Sequence, residues 1–287
     1  MALPLTTRAD ILASRLSILF STPSGTDAVL RTITYTLQFV SGALSTLLTK
    51  HLVTVSKALS ARSPLLPGET LLVALAYPTP ALARITPRVR ALSALISDFR
   101  TFTRLWGLLG MYAWGKGIAA NPPKDLTLKL AAWAQWSAYT AYQFLENRAY
   151  LGSKGIISRA GPQIMSDFLL STRCWMVGVG MEFVRLGRVW QLRQRTTRAR
   201  QVQGTESVEL RKEEMEEEKA WATKNTAEIT KWRLELLANV ANAPLTVHWS
   251  TPGGVLDDTT VGFLGMVTGL LVLLPKWQQT AAVVKKA

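Results

Sequence analysis

The sequence predicts an all-α, membrane-associated helical bundle, with a long amphipathic helix near its amino terminus and a membrane-embedded apolar helix near its carboxyl terminus. Apolar residues recur every three or four positions over most of the chain, whereas alternation with a period of two is hard to find. The mean hydropathy of +0.15 is high for a basic chain, and ten tryptophans supply side chains that favour a membrane interface. A soluble helical protein with a large core fits the same composition, so each element needs its own argument.

Proline, glycine and charge runs divide the chain into helical segments, which we interpret as parts of one domain over residues 1–287. In chain order, we predict a short helix at 6–20, a long amphipathic helix at 26–61, a Pro-rich connection at 63–87, a helical region at 87–200 that ends in a basic run, an acidic stretch at 201–220, and carboxy-terminal helices at 221–287. Within the helical region we expect separate helices at 87–117, 126–150 and from 161 onward. The acidic stretch fits either a helix or a disordered loop.

The long helix at 26–61 has a continuous apolar face over about eight turns, within an arc of about 140° on a helical wheel. Its opposite face is mostly Ser, Thr, Gln and Gly, with Arg31, Lys50 and Lys57 as its full charges. Such a helix inserts its leucines among acyl chains and holds its few cations near lipid phosphates, or packs the same stripe inside a bundle. The predicted membrane-inserting residues are Val29, Ile33, Leu37, Val40, Leu44, Leu47, Leu48, Leu52, Val55 and Leu59.

The apolar segment at 259–275 is the strongest candidate for a membrane anchor. At about 1.5 Å per residue it is roughly 25 Å long, slightly short of a bilayer core of about 30 Å. Acidic residues precede it and Lys276 follows it, as expected at membrane edges. A buried helix of a soluble protein remains the alternative. The predicted anchor residues are Val261, Phe263, Leu264, Leu270, Leu271, Leu273, Leu274 and Trp277.

The net charge of +14 predicts an anionic partner, and six arginines stand between residues 185 and 200 without an acid among them. No recognised DNA- or RNA-binding module accompanies this run, so lipid headgroups or a targeting receptor suit it better than nucleic acid. The predicted headgroup-binding or targeting residues are Lys50, Lys57, Arg185, Arg188, Arg193, Arg195, Arg198 and Arg200.

The sequence predicts no catalytic residues, no metal site and no cofactor. The two histidines, His51 and His248, lie far apart without other ligands at metal-site spacing. Cys174 is the only cysteine and has no histidine near it in sequence. No phosphate-binding loop is present, and we interpret the glycines Gly107, Gly110, Gly115 and Gly117 as sites of close helix packing. We therefore expect a protein that is not an enzyme.

Four segments resemble, in order, the peroxin-11 family of peroxisomal membrane proteins: YTLQFVSGALSTLL, ISDFRTFTRLWGLL, YQFLENRAYLGSKGI and LLANVANAPLTVHWSTPGGVLDDTTVGFLGMVTGLL. The resemblance spans roughly residues 31–277. It implies an integral protein of the peroxisomal membrane that elongates the organelle before fission through an amphipathic helix. It also implies lipid contact, homo-oligomers or hetero-oligomers with related members, and contact with a dynamin-like GTPase and its adaptor.

Two other functions fit the same residues. A membrane pore or metabolite carrier could use the charges that interrupt apolar stretches, Arg104, Asp167, Arg173 and Glu182. A helical adaptor could use the apolar stripe to bind a partner helix and recruit the division machinery. Solute flux in vesicles would support the first, and release from membranes by alkaline carbonate would support a soluble adaptor.

Overall fold

The computed structural model describes residues 5–62, 79–204 and 212–284, and this part of the chain is helical without a strand. The all-α prediction is confirmed for it. The connections that lie within the described residues are two to seven residues long, which favours antiparallel neighbours. The helices are α1 (Leu5–Phe20), α2 (Pro23–Arg62), α3 (Thr79–Thr103), α4 (Gly107–Ala120), α5 (Leu126–Ser153), α6 (Gly161–Gly204), α7 (Lys212–Ser250) and α8 (Asp258–Val284).

The prediction of one helix over 87–117 is wrong, because the chain turns between α3 and α4. Side chains of α5 stabilise this turn by binding its exposed carbonyls. Gln143 Nε2 donates to the Arg104 carbonyl at 3.0 Å, and Asn147 Nδ2 donates to the Leu105 carbonyl at 2.8 Å. These two amides replace backbone partners that a continuous helix would have supplied. The break is therefore set by residues about forty positions away.

Three of the described helices continue through a proline, a residue that usually marks a helix boundary. α3 begins at Thr79 and continues through Pro87, so residues 79–87 are helical and not part of a connection. α7 continues through Pro244 to Ser250, and α8 through Pro275 to Val284. Proline removes one backbone hydrogen bond from a helix, and tertiary packing tolerates that loss here. The rest of the predicted Pro-rich connection, with the apolar segment at 70–77, lies outside the described residues.

The acidic stretch at 201–220 divides into three parts. Its first residues belong to the end of α6, and its last residues, from Lys212, belong to α7. Residues 205–211 lie outside the described part. Glutamates in the first turns of a helix interact favourably with its dipole, which supports the helical alternative over residues 212–220.

The chain divides into two compact units. Unit 1 contains residues up to 100 and residues from 256 onward, and unit 2 contains residues 101–255. The single domain predicted over 1–287 stays a prediction.

In unit 1, α2 and α8 pack side by side along much of α8, and α1 packs on both. Arg15 of α1 fixes the far end of α8. Its Nη2 donates to the Trp277 carbonyl at 2.6 Å, its Nε donates to Thr280 Oγ1 at 3.0 Å, and its guanidinium lies 3.9 Å from the Trp277 ring centre. α3 joins α2 through Ser93, whose hydroxyl donates to the Thr34 carbonyl at 2.9 Å.

In unit 2, α5 and α6 form the largest helix contact, with α4 against α5 and α7 against α6. Close approach is made by glycines that face large side chains. A Cβ at Gly115 would stand 2.6 Å from Trp136 Nε1, and a Cβ at Gly107 would stand 2.8 Å from Gln143 Oε1. Gly110 and Gly117 have nothing within 4 Å of such a Cβ. The predicted packing role therefore fits Gly107 and Gly115 but not the other two.

Candidate membrane-binding surface

α2 packs on α8 through the side opposite its apolar stripe. The contact follows the small residues of α8, so that Gly262, Gly265 and Gly269 face Phe39, Tyr35 and Thr32 in turn. At its beginning, Gly42 of α2 faces Thr259. Residue numbers rise along α8 as they fall along α2, so the two helices are antiparallel. Glycines spaced by three and four residues allow the backbones to approach closely, which is typical of helices packed within membranes.

The apolar stripe of α2 therefore points away from α8. Leu47 is 56% exposed, and Ile33, Val40 and Leu52 are also exposed, whereas the other six predicted membrane-inserting residues are half-buried. On the side that faces α8, Thr32 is 9% exposed and Gly42 is buried. A helix in a soluble bundle buries its apolar face and exposes its polar one. Along its contact with α8, α2 instead buries Thr32 and leaves Val40 exposed, and this arrangement suits an apolar surrounding.

The predicted anchor residues of α8 divide in the same way. Phe263, Leu270 and Leu274 are exposed, and Leu264, Leu271, Leu273 and Trp277 are half-buried. Val261 differs, because it is only 1% exposed and packs inside unit 1. Asp257 begins the helix: its carboxylate accepts hydrogen bonds from the Thr260 hydroxyl and from two backbone N–H groups. These bonds, that of the Thr260 hydroxyl first, lower the pKa of Asp257.

Within the described residues, one helix is long and apolar enough to cross a membrane by length and composition. It covers Asp258–Ala281 with a mean hydropathy of 1.5. Only 28% of its most apolar window is buried in the structure, whereas a core helix of a soluble protein is mostly buried. α8 therefore fits lipid better than it fits a protein core.

α3 presents a second apolar face that the sequence analysis did not identify. Leu95 is 67% exposed, and the other members of the face are exposed as well. The buried side of α3 is more polar, with Thr86, Ser93 and Arg100 at intervals of seven residues. The exposed apolar residues of α3 are also seven residues apart, as Ile85, Leu92 and Phe99 show. This spacing could have identified the face from the sequence. This α3 outer face consists of Ile85, Leu92, Leu95 and Phe99.

Ion pairs hold α3 to the other helices of unit 1. Arg90 Nη2 lies 2.7 Å from Asp258 at the start of α8, with both side chains about 60% exposed. Arg100 Nε lies 2.9 Å from Asp27 near the start of α2, and the Arg100 side chain is 9% exposed. The exposed pair contributes little to stability, while the buried guanidinium depends on its partner.

Half of the predicted headgroup-binding arginines are used inside unit 2. Arg185 pairs with Glu182 and Glu235, Arg188 with Asp125, and Arg193 with Glu228. The hydrogen bonds that the Arg185 guanidinium donates to these carboxylates, to Glu182 first, raise the pKa of Arg185. Headgroup binding thus stays a prediction. The exposed arginines among these six are Arg195, Arg198 and Arg200. The Arg200 guanidinium lies 4.7 Å from the centre of the Trp221 ring. Lys50 and Lys57 are exposed on α2.

The four charges considered for a pore connect helices within unit 2. Arg104 pairs with Glu146 at 2.9 Å, and Arg173 Nε donates to the Ser250 carbonyl at 3.4 Å. Glu182 accepts from Gln135 Nε2 at 2.9 Å in addition to its pair with Arg185. Asp167 is 5% exposed and accepts from both Arg148 and Arg159. Paired charges of this kind join neighbouring helices, and a solute path would need some of them to face a channel.

Neither candidate for metal or thiol chemistry gains support from the geometry. Within residues 5–62, 79–204 and 212–284, no group of three His, Cys, Asp or Glu side chains stands close enough to hold a metal ion. Burial raises the pKa of the Cys174 thiol, which favours the unreactive protonated form at neutral pH. His248 Nδ1 accepts a hydrogen bond from the Val255 N–H at 3.1 Å.

The family model for peroxisomal biogenesis factor 11 matches residues 70–277, well over half of the chain. The chain belongs to this family. Peroxisomal biogenesis factor 11 proteins are proteins of the peroxisomal membrane that act in peroxisome proliferation and fission, and theirs is not a known enzyme family. The chain has no match among curated proteins and none among solved structures.

The matched residues begin after α2 and include α3 to α7 and most of α8. The family assignment thus confirms the resemblance from residue 70 onward. The segment YTLQFVSGALSTLL of α2 lies before the match, so its role rests on the geometry of unit 1. The α3 outer face lies within the match.

Proposed function

We propose that this peroxisomal biogenesis factor 11 protein elongates the peroxisomal membrane before fission by placing the apolar stripe of α2 among the acyl chains. One observation carries the proposal: α2 buries Thr32 and Gly42 against α8, whereas four residues of its apolar stripe, Ile33, Val40, Leu47 and Leu52, are exposed. Transfer of the stripe from water to the acyl chains is favourable. Each large apolar side chain that is fully transferred contributes about 1.5–3 kcal/mol. Added helix volume in a membrane changes its curvature.

Self-association would concentrate this effect. Homo-oligomers, or hetero-oligomers with related members, would bring many inserted helices to one stretch of membrane. A dynamin-like GTPase and its adaptor would then complete fission. The family's role in peroxisome division supports these partners. Co-precipitation of two differently tagged copies from detergent-solubilised peroxisomes would test self-association.

The direct test uses Val40→Glu with Leu47→Glu, two exposed positions on the stripe. The matched control is Thr49→Glu with Ser56→Glu, which adds the same charges at the same spacing on the polar side of α2. A charged side chain at the centre of a membrane helix costs about 2.5–3.5 kcal/mol on insertion scales. We expect the stripe variant to lose peroxisome elongation in cells lacking the native protein, and the control to retain it.

Both variants are first checked for rim labelling of peroxisomes, since α8 is intact in each. A stripe variant that reaches the membrane and still elongates peroxisomes as the native protein does would contradict the proposal.

A further inference from the structure

We infer that α2 and α8 cross the bilayer side by side as an antiparallel hairpin, so that α2 is a second membrane-crossing helix. The inference rests on the proposed function, because it concerns the direction and depth of the same apolar stripe. It excludes the alternative in which α2 lies flat in the surface of one leaflet.

The packing of α2 on α8 links their directions. Four contacts, from Gly42 with Thr259 to Thr32 with Gly269, hold the two axes together over about three turns. α8 has the length and composition of a membrane span. A helix held along a crossing helix must cross with it. α2 could lie flat only if α8 also lay flat.

A flat pair does not agree with the distribution of apolar residues. On α2 the exposed stripe, which includes Ile33 and Val40, lies about 150° from the side that faces α8. On α8 the exposed Phe263 and Leu274 lie on one flank of the glycines, and the exposed Val272 lies on the other. A pair lying at the surface has lipid on one side and water on the other. Lipid on all outer sides is available to a pair that crosses the membrane.

Hydroxyl groups along the pair find acceptors within their own helices. On α2 the hydroxyls of Thr32, Thr36 and Thr46 donate to the carbonyls four residues earlier, at 2.8, 2.7 and 3.0 Å. On α8 the Thr268 hydroxyl donates to the Gly265 carbonyl at 2.9 Å. A hydroxyl that donates to its own helix does not need water as a hydrogen-bond partner. This matters inside a bilayer, where no water is available. The polar face of α2 is therefore compatible with the membrane interior.

Charged residues stand at the two ends of the pair. Gly42 lies beside Thr259, so Asp258 stands at about the level of residue 43 of α2, and the pair has about 15 residues, roughly 22 Å, between that level and Asp27. The pair of Arg90 with Asp258 lies where α8 begins, and Asp27 with Arg100 lies near the opposite end. Arg31, one turn inside Asp27, has a stem long enough to bring its charge to that edge. A span of roughly 22 Å is well short of a bilayer core of about 30 Å, so the crossing requires local thinning of the bilayer.

Single-cysteine variants of the full chain test the inference in isolated peroxisomes. Cys174→Ser removes the native thiol, and Ser24→Cys, Ser60→Cys and Gln278→Cys place a thiol at exposed positions near the ends of α2 and α8. A membrane-impermeant maleimide is added to intact organelles, and labelling after denaturation gives the total. Thr22→Cys and Ser56→Cys serve as second variants if a first one is lost from the membrane.

We expect the thiols at 24 and 278 to be on one side of the membrane and the thiol at 60 on the other. Labelling of all three to the same extent in intact peroxisomes would overturn the crossing. If Val40→Glu with Leu47→Glu still abolished elongation, the proposed function would stand without the crossing. Labelling on opposite sides, with elongation unaffected by those glutamates, would support the crossing and remove the proposed function.

Discussion

Gly265 of α8 faces the ring of Tyr35 on α2 so closely that a Cβ at Gly265 would stand 2.6 Å from Tyr35 Cε1. No ordinary side-chain contact is that short, so the glycine is a steric requirement of this packing. The contact aligns α2 with α8 and thereby sets which face of α2 points outward. The lack of a Cβ at Gly265 therefore helps to determine where the apolar stripe of α2 lies.

The glycine contact predicts a steric effect at Gly262 and Gly265. Gly265→Ala should lower the thermal stability of the detergent-solubilised protein, because overpacking costs about 1–3 kcal/mol. Gly262→Ala should cost more, since its Cβ would meet the backbone of Phe39, which cannot rotate away. Gly187→Ala on α6 is the control: nothing lies within 4 Å, so stability should stay constant or rise slightly. Equal melting temperatures for all three variants would show that the contact is loose.

Asp167 should be among the most sensitive ion-pair positions in unit 2. It binds Arg148 and Arg159 and is 8% exposed at its side chain. Asp167→Asn leaves two guanidiniums without a counter-charge, and loss of one partner from a buried pair costs about 3–5 kcal/mol. Asp258→Asn is the control, because both side chains of its pair with Arg90 are mostly exposed and such a pair is worth at most about 1 kcal/mol. Denaturation followed by tryptophan fluorescence would compare them. A small loss at Asp167 would mean that water reaches its arginines.

Asp125 should make the stability of unit 2 depend on acid. Hydrogen bonds from Arg188 and from the Leu128 N–H lower the pKa of its carboxyl below the ordinary value of 3.8. A lowered pKa in the folded state stabilises the fold above the unfolded value, and this contribution disappears as the pH falls through the lower, folded value. Melting temperature should therefore drop below about pH 4 more steeply in the native protein than in Asp125→Asn, which keeps a capping side chain. Parallel curves would exclude this carboxylate as the source.

The sequence predicts that α2 and α8 are helices, but it does not predict which face of α2 is buried. The apolar period over 26–61 predicts a helix that the structure contains as α2, and the segment at 259–275 predicts α8. The buried face of α2 could not be predicted from α2 alone, because apolar periodicity marks a buried face only when water surrounds the protein. The glycines of α8, which decide that face, lie more than 200 residues away.

The break between α3 and α4 was missed for a related reason. Nothing in the local sequence from Thr101 to Gly107 forbids a helix, and the break depends on the amides of Gln143 and Asn147 in α5. Pro244 and Pro275 show the opposite case, in which a strong local signal predicts a helix end and packing overrides it. Long-range contacts thus account for the wrong boundaries in both directions.

The α3 outer face should contact lipid in its own right. Leu95→Glu places a charge in the middle of this face, whereas Ala94→Glu places the same charge at the next exposed position, about 100° away and outside the face. If the face lies against acyl chains, Leu95→Glu should reduce peroxisome elongation and weaken retention after alkaline carbonate, and Ala94→Glu should do neither.

Because α3 lies within the residues matched by the family model and α2 does not, comparison with Val40→Glu plus Leu47→Glu ranks the two helices by their effect on elongation. A loss confined to the α2 variant would assign membrane remodelling to α2. A loss confined to Leu95→Glu would transfer that role to α3 and contradict the function proposed for the α2 stripe.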